Sequence, residues 1–384
     1  MRKVLIITIF GLICGFITNI AHPVTPEYLS TTLELNKKWF GYFYSAMSLG
    51  MLIFAPIWGS LGDVKSRKYT LILCLIGYGV GQIMFSQFSN PYLILFARFF
   101  AGTFSAGISV SMLSHISVCD DLDKSKALAN YVAFMAVGSS VAYLFGGFLS
   151  NYLSARNVIL SQGLICISSI LYVPLLKIKD IKVDNKRSGV IKNLLNIRNL
   201  NKTMIILMVA IMFTAISHTI LSKYTDAYID DLGYSASDIG NYMFVAGIIN
   251  LLVNVLVTPL VIKKVKIKYS MFTITALSAV LSLITYVADY SIIVMIYTTY
   301  MGYIFFKSMY EPIVVNDLSE NPSAPKGVLL GTRQSFSALG QVVGPIVAGF
   351  LYDIRAVSVF YLSAGLLLLS AFMFLVYYSL EGKK

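Results

Sequence analysis

A run of about twenty apolar residues almost free of charge has one stable home, the bilayer, where a helix satisfies its own backbone polar groups. This chain holds twelve such runs, near residues 4–22, 40–61, 69–88, 92–114, 127–149, 158–176, 203–222, 239–261, 269–288, 292–315, 328–351 and 357–378. They use up most of the 384 residues, so almost nothing remains for an extramembrane domain. With 57% hydrophobic residues and only 12% charged ones the chain lacks the makings of a water-soluble surface. A peripheral enzyme, a nucleic-acid binder and a receptor with a soluble sensor are thereby excluded.

The net charge of +12 is explained by placement. Twenty-three of the thirty Lys and Arg lie in one set of alternate connections and termini, counting Arg333 in the first turn of the eleventh run, five lie in the other set, and Arg98 and Lys307 fall deeper inside runs. Basic residues collect on the cytoplasmic side, so both termini are expected there, with the bilayer rather than a polyanion as partner. The Met1-Arg2-Lys3 start and the apolar stretch after it are read as span one rather than as a secretory signal, because the small-residue cleavage site is weak. Cys14, Cys74 and Cys166 sit in spans and Cys119 in a loop; with no CxxC pair, neither a disulfide nor a metal site is implied.

The longest polar connection, 177–202, divides the runs into six and six, giving expected units at 1–176 and 203–384 joined by a basic cytoplasmic linker. The halves repeat each other. At an offset of 202, Gly138, Gly147, Phe148 and Leu149 match Gly340, Gly349, Phe350 and Leu351. At an offset of 199, Leu33…Phe40-Gly41 is similar to Leu232…Ile239-Gly240, and Pro56 with Lys65 to Lys68 is echoed by Pro259 with Lys263 to Lys268. Internal repeats of this kind build transporter folds. The expected fold class is an all-α integral membrane protein of twelve transmembrane helices in two pseudo-symmetric six-helix bundles.

Several motifs carry a family resemblance that covers the whole chain. Gly59-Ser60-Leu61-Gly62-Asp63-Val64-Lys65-Ser66-Arg67-Lys68 follows span two, Pro23-Val24-Thr25-Pro26-Glu27-Tyr28-Leu29 follows span one, and Arg98-Phe99-Phe100-Ala101-Gly102 lies in span four. Gly340 to Gly349 in span eleven contains Gly344-Pro345. Together they resemble the major facilitator superfamily, in its drug:proton antiporter-like branch. Span five carries Ala142-Tyr143 where that branch has Gly-Pro. The resemblance implies alternating access, with Gly59, Asp63, Arg67 and Lys68 gating the inner face and Asp63 acting as the latch. It also implies proton-coupled export of small hydrophobic or cationic compounds from the inner (plasma) membrane of a bacterial cell, by a protein expected to be a monomer.

A charge at mid-bilayer is worth roughly +3 kcal/mol on insertion scales unless it is paired or faces water. Candidate proton-coupling groups are therefore Arg98, Lys307 and Glu311, with Asp226 and His218 beside the acidic end of span seven. Lys307 and Glu311 are four apart, share a helix face, and are expected to neutralise each other, with Pro312 freeing carbonyls nearby. A desolvated Glu311 would hold its proton towards neutral pH. The aromatic content, 13%, suits interfacial belts and a cavity for planar or cationic compounds; Tyr42, Tyr44, Met47, Tyr143, Tyr300 and Tyr303 are the expected lining.

No phosphate-cradling G-x-x-x-x-G-K-[ST] occurs, so no ATP or other cofactor is expected and an ion gradient or the substrate's own gradient supplies the energy. Uptake or facilitated diffusion of a small solute in the same fold stays open. An enzyme alternative rests on Asp120, Asp121 and Asp123, which are similar to the aspartate-rich Mg2+ sites of integral-membrane prenyltransferases. Such a site needs a second acidic cluster facing the same cavity, and the same residues suit a helix-capping loop.

Overall fold

The computed structural model describes residues 2–118, 124–178, 201–288, 290–321 and 326–381. Cys119, the acidic Asp120–Asp123 loop and nearly all of the 177–202 linker lie outside them. The described residues form helices and no strand. In chain order the long ones are α1 (Arg2–Asn19), α2 (Lys37–Val64), α3 (Arg67–Gln87), α4 (Pro91–Val118), α5 (Lys124–Leu149), α6 (Ala155–Leu176) and α7 (Lys202–Asp231). They continue with α8 (Ala236–Lys264), α9 (Ile267–Val287), α10 (Ile292–Glu320), α11 (Lys326–Ile354) and α12 (Ser358–Glu381). Eleven are long and apolar enough to cross a membrane, and α1 is a shorter apolar helix.

Local chemistry sets several boundaries. Asn36 caps α2 through Trp39 N and Ser66 caps α3 through Tyr69 N, each supplying an acceptor for an orphan backbone donor. Two helices contain irregular turns: α8 passes through a π turn at Val253–Val257 just before Pro259. In α10 a π turn at Ile296–Tyr300 lies on the N-terminal side of the interior Pro312.

The chain divides into two compact units, one of Met1–Gly189 with Asp230–Gly247, the other of Val190–Ile229 with Ile248–Lys384. In the first, α1 packs on α5, α2 on α4, and α3 on α4 and α6. Lipid tails are as apolar as leucine, so close backbone approach and buried hydrogen bonds do the holding. Trp58 Nε1 donates to the Thr103 carbonyl at 2.6 Å, and Gln162 Nε2 donates to the Ile17 carbonyl at 2.9 Å. The end of α7 and the start of α8 join this unit because Gly147 and Gly240 let α5 and α8 touch backbone to backbone.

In the second unit serine and threonine knit α7 to α12. Ser217 and Ser363 each donate to the other's carbonyl, at 3.0 and 2.9 Å, and Thr214 meets Ser370 at 2.6 Å. Tyr224 Oη donates to the Pro345 carbonyl at 2.9 Å, which anchors the Gly344-Pro345 step of α11 on α7.

The repeated glycines occupy equivalent seams. A Cβ on Gly138 of α5 would strike the Leu12 carbonyl of α1, with its carbon at 2.9 Å; a Cβ on Gly340 of α11 would lie 2.7 Å from the Met212 carbonyl oxygen of α7. Both neighbours are backbone, which cannot give way. Gly138→Leu is therefore expected to cost at least about 1–3 kcal/mol through overpacking. Gly365→Ala, at a position with nothing within 4 Å, is expected to gain a few tenths to about 1 kcal/mol. Unfolding midpoints in detergent check the pair; equal shifts would remove the seam's special role.

Candidate functional site

The first grouping is the α2–α3 junction. Gly59 is buried near the end of α2 and Ser66 begins α3. Arg67 is fully buried and donates from Nε to Ser114 Oγ of α4 at 2.9 Å, whereas Lys68 is exposed. Two neighbouring basic residues expected to serve the same face thus separate: one ties helices together and the other faces outward. The side chain of Asp63 lies outside the described residues.

The second grouping surrounds Arg98 on α4, which is buried. Its guanidinium carbon lies 4.3 Å from the centroid of the Phe43 ring on α2 and 5.2 Å from that of Phe85 on α3, and Nη2 points to Met47 Sδ at 2.7 Å. Among the described residues Arg98 forms no ion pair, and its Nε lacks a hydrogen-bond partner. Ring quadrupoles and a polarizable sulfur stand in for a carboxylate. Of the expected cavity residues, Met47 belongs to this cage and Tyr44 lies against Phe43, with ring centroids 5.1 Å apart. Tyr42 stands apart, edge-on to Trp39. Tyr143 is separate too: its hydroxyl donates to Asn19 Oδ1 at 3.1 Å, and its ring faces His22 at 5.7 Å.

The third grouping, in the second unit, joins α7, α9 and α10. Asp226 is fully buried in α7. Its neighbour Thr225 hydrogen-bonds the Tyr286 hydroxyl of α9, and Tyr286 stacks flat on Phe360, centroids 3.5 Å apart. On α10, Tyr300 and Tyr303 lie with ring centroids 5.2 Å apart, and the Tyr303 hydroxyl meets His218 Nδ1 at 2.9 Å. Tyr310 packs its edge on His218 at 5.6 Å. Lys307 Nζ lies 5.9 Å from the Tyr303 ring centroid, and Asp226 supplies the carboxylate charge that acts on it. Asp226, His218, Lys307, Tyr300 and Tyr303 thus form one polar neighbourhood inside apolar helices.

The expected Lys307–Glu311 pair does not form. Glu311 pairs instead with Arg333 Nη1, and Arg333 Nη2 donates to Gln334 Oε1 at 3.0 Å. The Glu311 side chain is 57% exposed, so the desolvated carboxyl expected from sequence is absent from this structure. Spacing put both residues on one face of α10, but α7 draws the lysine and α11 the glutamate. The sequence puts Arg333 near the start of a span, but the helix begins at Lys326 and α11 carries the arginine about two turns in. Tyr286, Tyr310, Phe43 and Phe85 were also missed. Only Tyr310 had a usable signal, its seven-residue spacing from Tyr303 on one helix face.

The chain is 23% identical over 388 residues to the quinolone resistance protein NorA of Staphylococcus aureus (strain COL), covering 98% of this chain and 97% of that one. It is 21% identical over 346 residues to multidrug resistance protein 2 of Bacillus subtilis (strain 168), covering 87% and 84%. Among solved structures, the nucleoside transporter NupG matches with a TM-score of 0.81 at 16% identity, covering 98% of this chain and 99% of the other. A D-xylose-proton symporter matches at 0.73 and 15%, covering 97% and 96%. At such identities these two speak for the fold alone. The Major Facilitator Superfamily model matches residues 7–324, and with helices, motifs and relatives in agreement the chain belongs to that superfamily, as a multi-pass membrane transporter of small molecules and not an enzyme.

Proposed function

We propose that the protein is a proton-coupled exporter of small hydrophobic or cationic compounds, working by alternating access. Its twelve helices would span the plasma membrane as two six-helix bundles, 1–176 and 203–384, with both termini and the 177–202 linker in the cytoplasm, and it would act as a monomer. The observation that carries the coupling is the buried Asp226 beside Lys307, His218 and Tyr303. A carboxylate held away from water, with the Lys307 charge acting across the same site, can trade a cation's field for a proton, which is the elementary step of antiport. The names of the drug-resistance relatives support export. Gly59, Asp63, Arg67 and Lys68 would gate the inner face. Arg98, Tyr44 and Met47 would form the aromatic and cationic part of the first unit, and Tyr300 and Tyr303 that of the second, with Tyr42 and Tyr143 further out. Uptake keeps one specific point in its favour, the Ala142-Tyr143 step in α5 in place of the Gly-Pro of antiporters.

The deciding measurement is dye and drug accumulation in a pump-deficient host, with and without a protonophore. Export predicts lower accumulation in expressing cells and loss of that difference when the gradient collapses. Higher accumulation in expressing cells would select uptake.

Glu311→Gln separates the two carboxylates. Because Glu311 is largely exposed and satisfied by Arg333, the substitution is expected to lower uphill transport by only a few-fold, while charge exchange as Glu311→Arg with Arg333→Glu recovers most of it. Complete loss of pH-driven transport in Glu311→Gln proteoliposomes would move the proton site from Asp226 to Glu311.

A further inference from the structure

At the end of the first unit opposite the Gly59–Lys68 junction lies a set of charges that the proposed coupling does not use. After α1 the chain turns through a short helix at Thr25–Glu27, then a π turn at Tyr28–Thr32, and begins α2 at Lys37. The last residues of α7 sit against it. Ser30 Oγ donates to Asp230 Oδ2 at 2.7 Å, and Lys37 Nζ pairs with Asp231 Oδ1 at 2.7 Å, the lysine side chain being only 12% exposed. Glu27 stands one turn before Ser30, so its carboxylate feels the charge of Asp230. Two carboxylates therefore share one partly buried place, in which Ser30 and the Lys37 charge both favour the ionised form of Asp230 and leave Glu27 as the one to hold a proton.

We propose that Glu27 and Asp230 form a proton-operated latch: with a proton on Glu27 the end of α7 stays fastened to the α1–α2 connection through Ser30, and ionisation of Glu27 releases it. The surrounding charges leave this role open. Lys37 pairs with Asp231 and its charge also acts on Asp230, and Arg156 at the start of α6 acts on Tyr28. Asp238 of α8 accepts from Ser235 N at 3.0 Å, and His22 faces Tyr143. Among the described residues no cation forms an ion pair with Glu27.

The sign follows from linkage. Burial first, and the Asp230 charge second, push the Glu27 carboxyl above its ordinary value. The fastened state therefore binds the proton more tightly than a released state in which Glu27 is solvated, and it loses its advantage as pH rises through that raised value. The placement of the latch gives it leverage, because the first unit resumes at Asp230 and Ile229 belongs to the second. The latch stands on contacts within the first unit. Only its assignment to the outer membrane face, where arriving protons would shut this end, rests on the proposed topology.

The test needs no transport. Spin labels at Thr31→Cys and Leu232→Cys, both exposed positions, in an otherwise cysteine-free chain in nanodiscs, report the separation of the two segments by electron–electron double resonance. As pH rises through the raised Glu27 value the short-distance population is expected to fall. Glu27→Gln should hold that population across the whole range. Asp230→Asn, which keeps an acceptor for Ser30 but removes the charge acting on Glu27, should move the midpoint to lower pH. A distance distribution that ignores pH, or a pH response that survives Glu27→Gln unchanged, overturns the latch. Failure of the export assay leaves it standing.

Discussion

Asp226→Asn is expected to reduce the uphill accumulation ratio to about one while the protein still folds and binds its substrate within roughly three-fold of the unsubstituted affinity. Asparagine keeps the shape of the side chain and its hydrogen-bonding oxygen, so packing around Thr225 and Tyr286 persists. What it loses is the ability to alternate between a charge opposite Lys307 and a neutral acid, and a group that cannot take up and release a proton cannot couple a gradient. The expected loss of gradient-driven rate is on the order of 100-fold or more, the range in which positioned proton carriers act. Proteoliposomes with an imposed pH gradient measure it, and exchange of labelled for unlabelled substrate at equal pH tests whether the carrier still cycles. Lys307→Met, which takes the Lys307 charge away from the buried carboxylate, is expected to lower folded yield more than the double variant Asp226→Asn with Lys307→Met, since a buried charge that has lost an opposing one costs more than none. If Asp226→Asn still concentrates substrate like the unsubstituted protein, the cluster is structural.

Arg98 gives the second large effect. Its guanidinium bridges α2, α3 and α4 through two rings and a thioether, and each desolvated cation–π contact is worth up to about 2 kcal/mol. Arg98→Ala removes the charge and the filling between the rings, so a marked fall in the unfolding midpoint and loss of transport are expected together. Arg98→Lys keeps a cation but lacks the flat face that stacks on Phe43 and Phe85, and a reduced but measurable rate is expected. Arg98→Met separates the two roles. A flexible apolar side chain fills the cage without a buried charge, so stability should match or exceed the unsubstituted protein while transport falls at least about ten-fold. Normal pumping by Arg98→Met would reduce Arg98 to a packing residue.

Much of this protein was legible in its sequence because the bilayer reads sequence locally. A run of apolar residues is judged against lipid one helix at a time, and basic loops are sorted by sign, so the candidate spans follow without knowledge of any contact. The Gly138–Gly340 repeat was legible too, because a backbone seam tolerates only the smallest residue and leaves glycine at the same place in both halves. The polar sites were not. The spacing of Lys307 and Glu311 fixed their common helix but not their partners, which come from α7 and α11. The cage around Arg98 could not be foreseen either, since phenylalanine and methionine in a membrane helix are ordinary until the fold brings them against a guanidinium. Composition alone decides whether a segment leaves water, because that free energy sums over its own residues. Which buried charge meets which neighbour depends on segments far apart in the chain arriving within a few ångströms, and only the tertiary structure decides that.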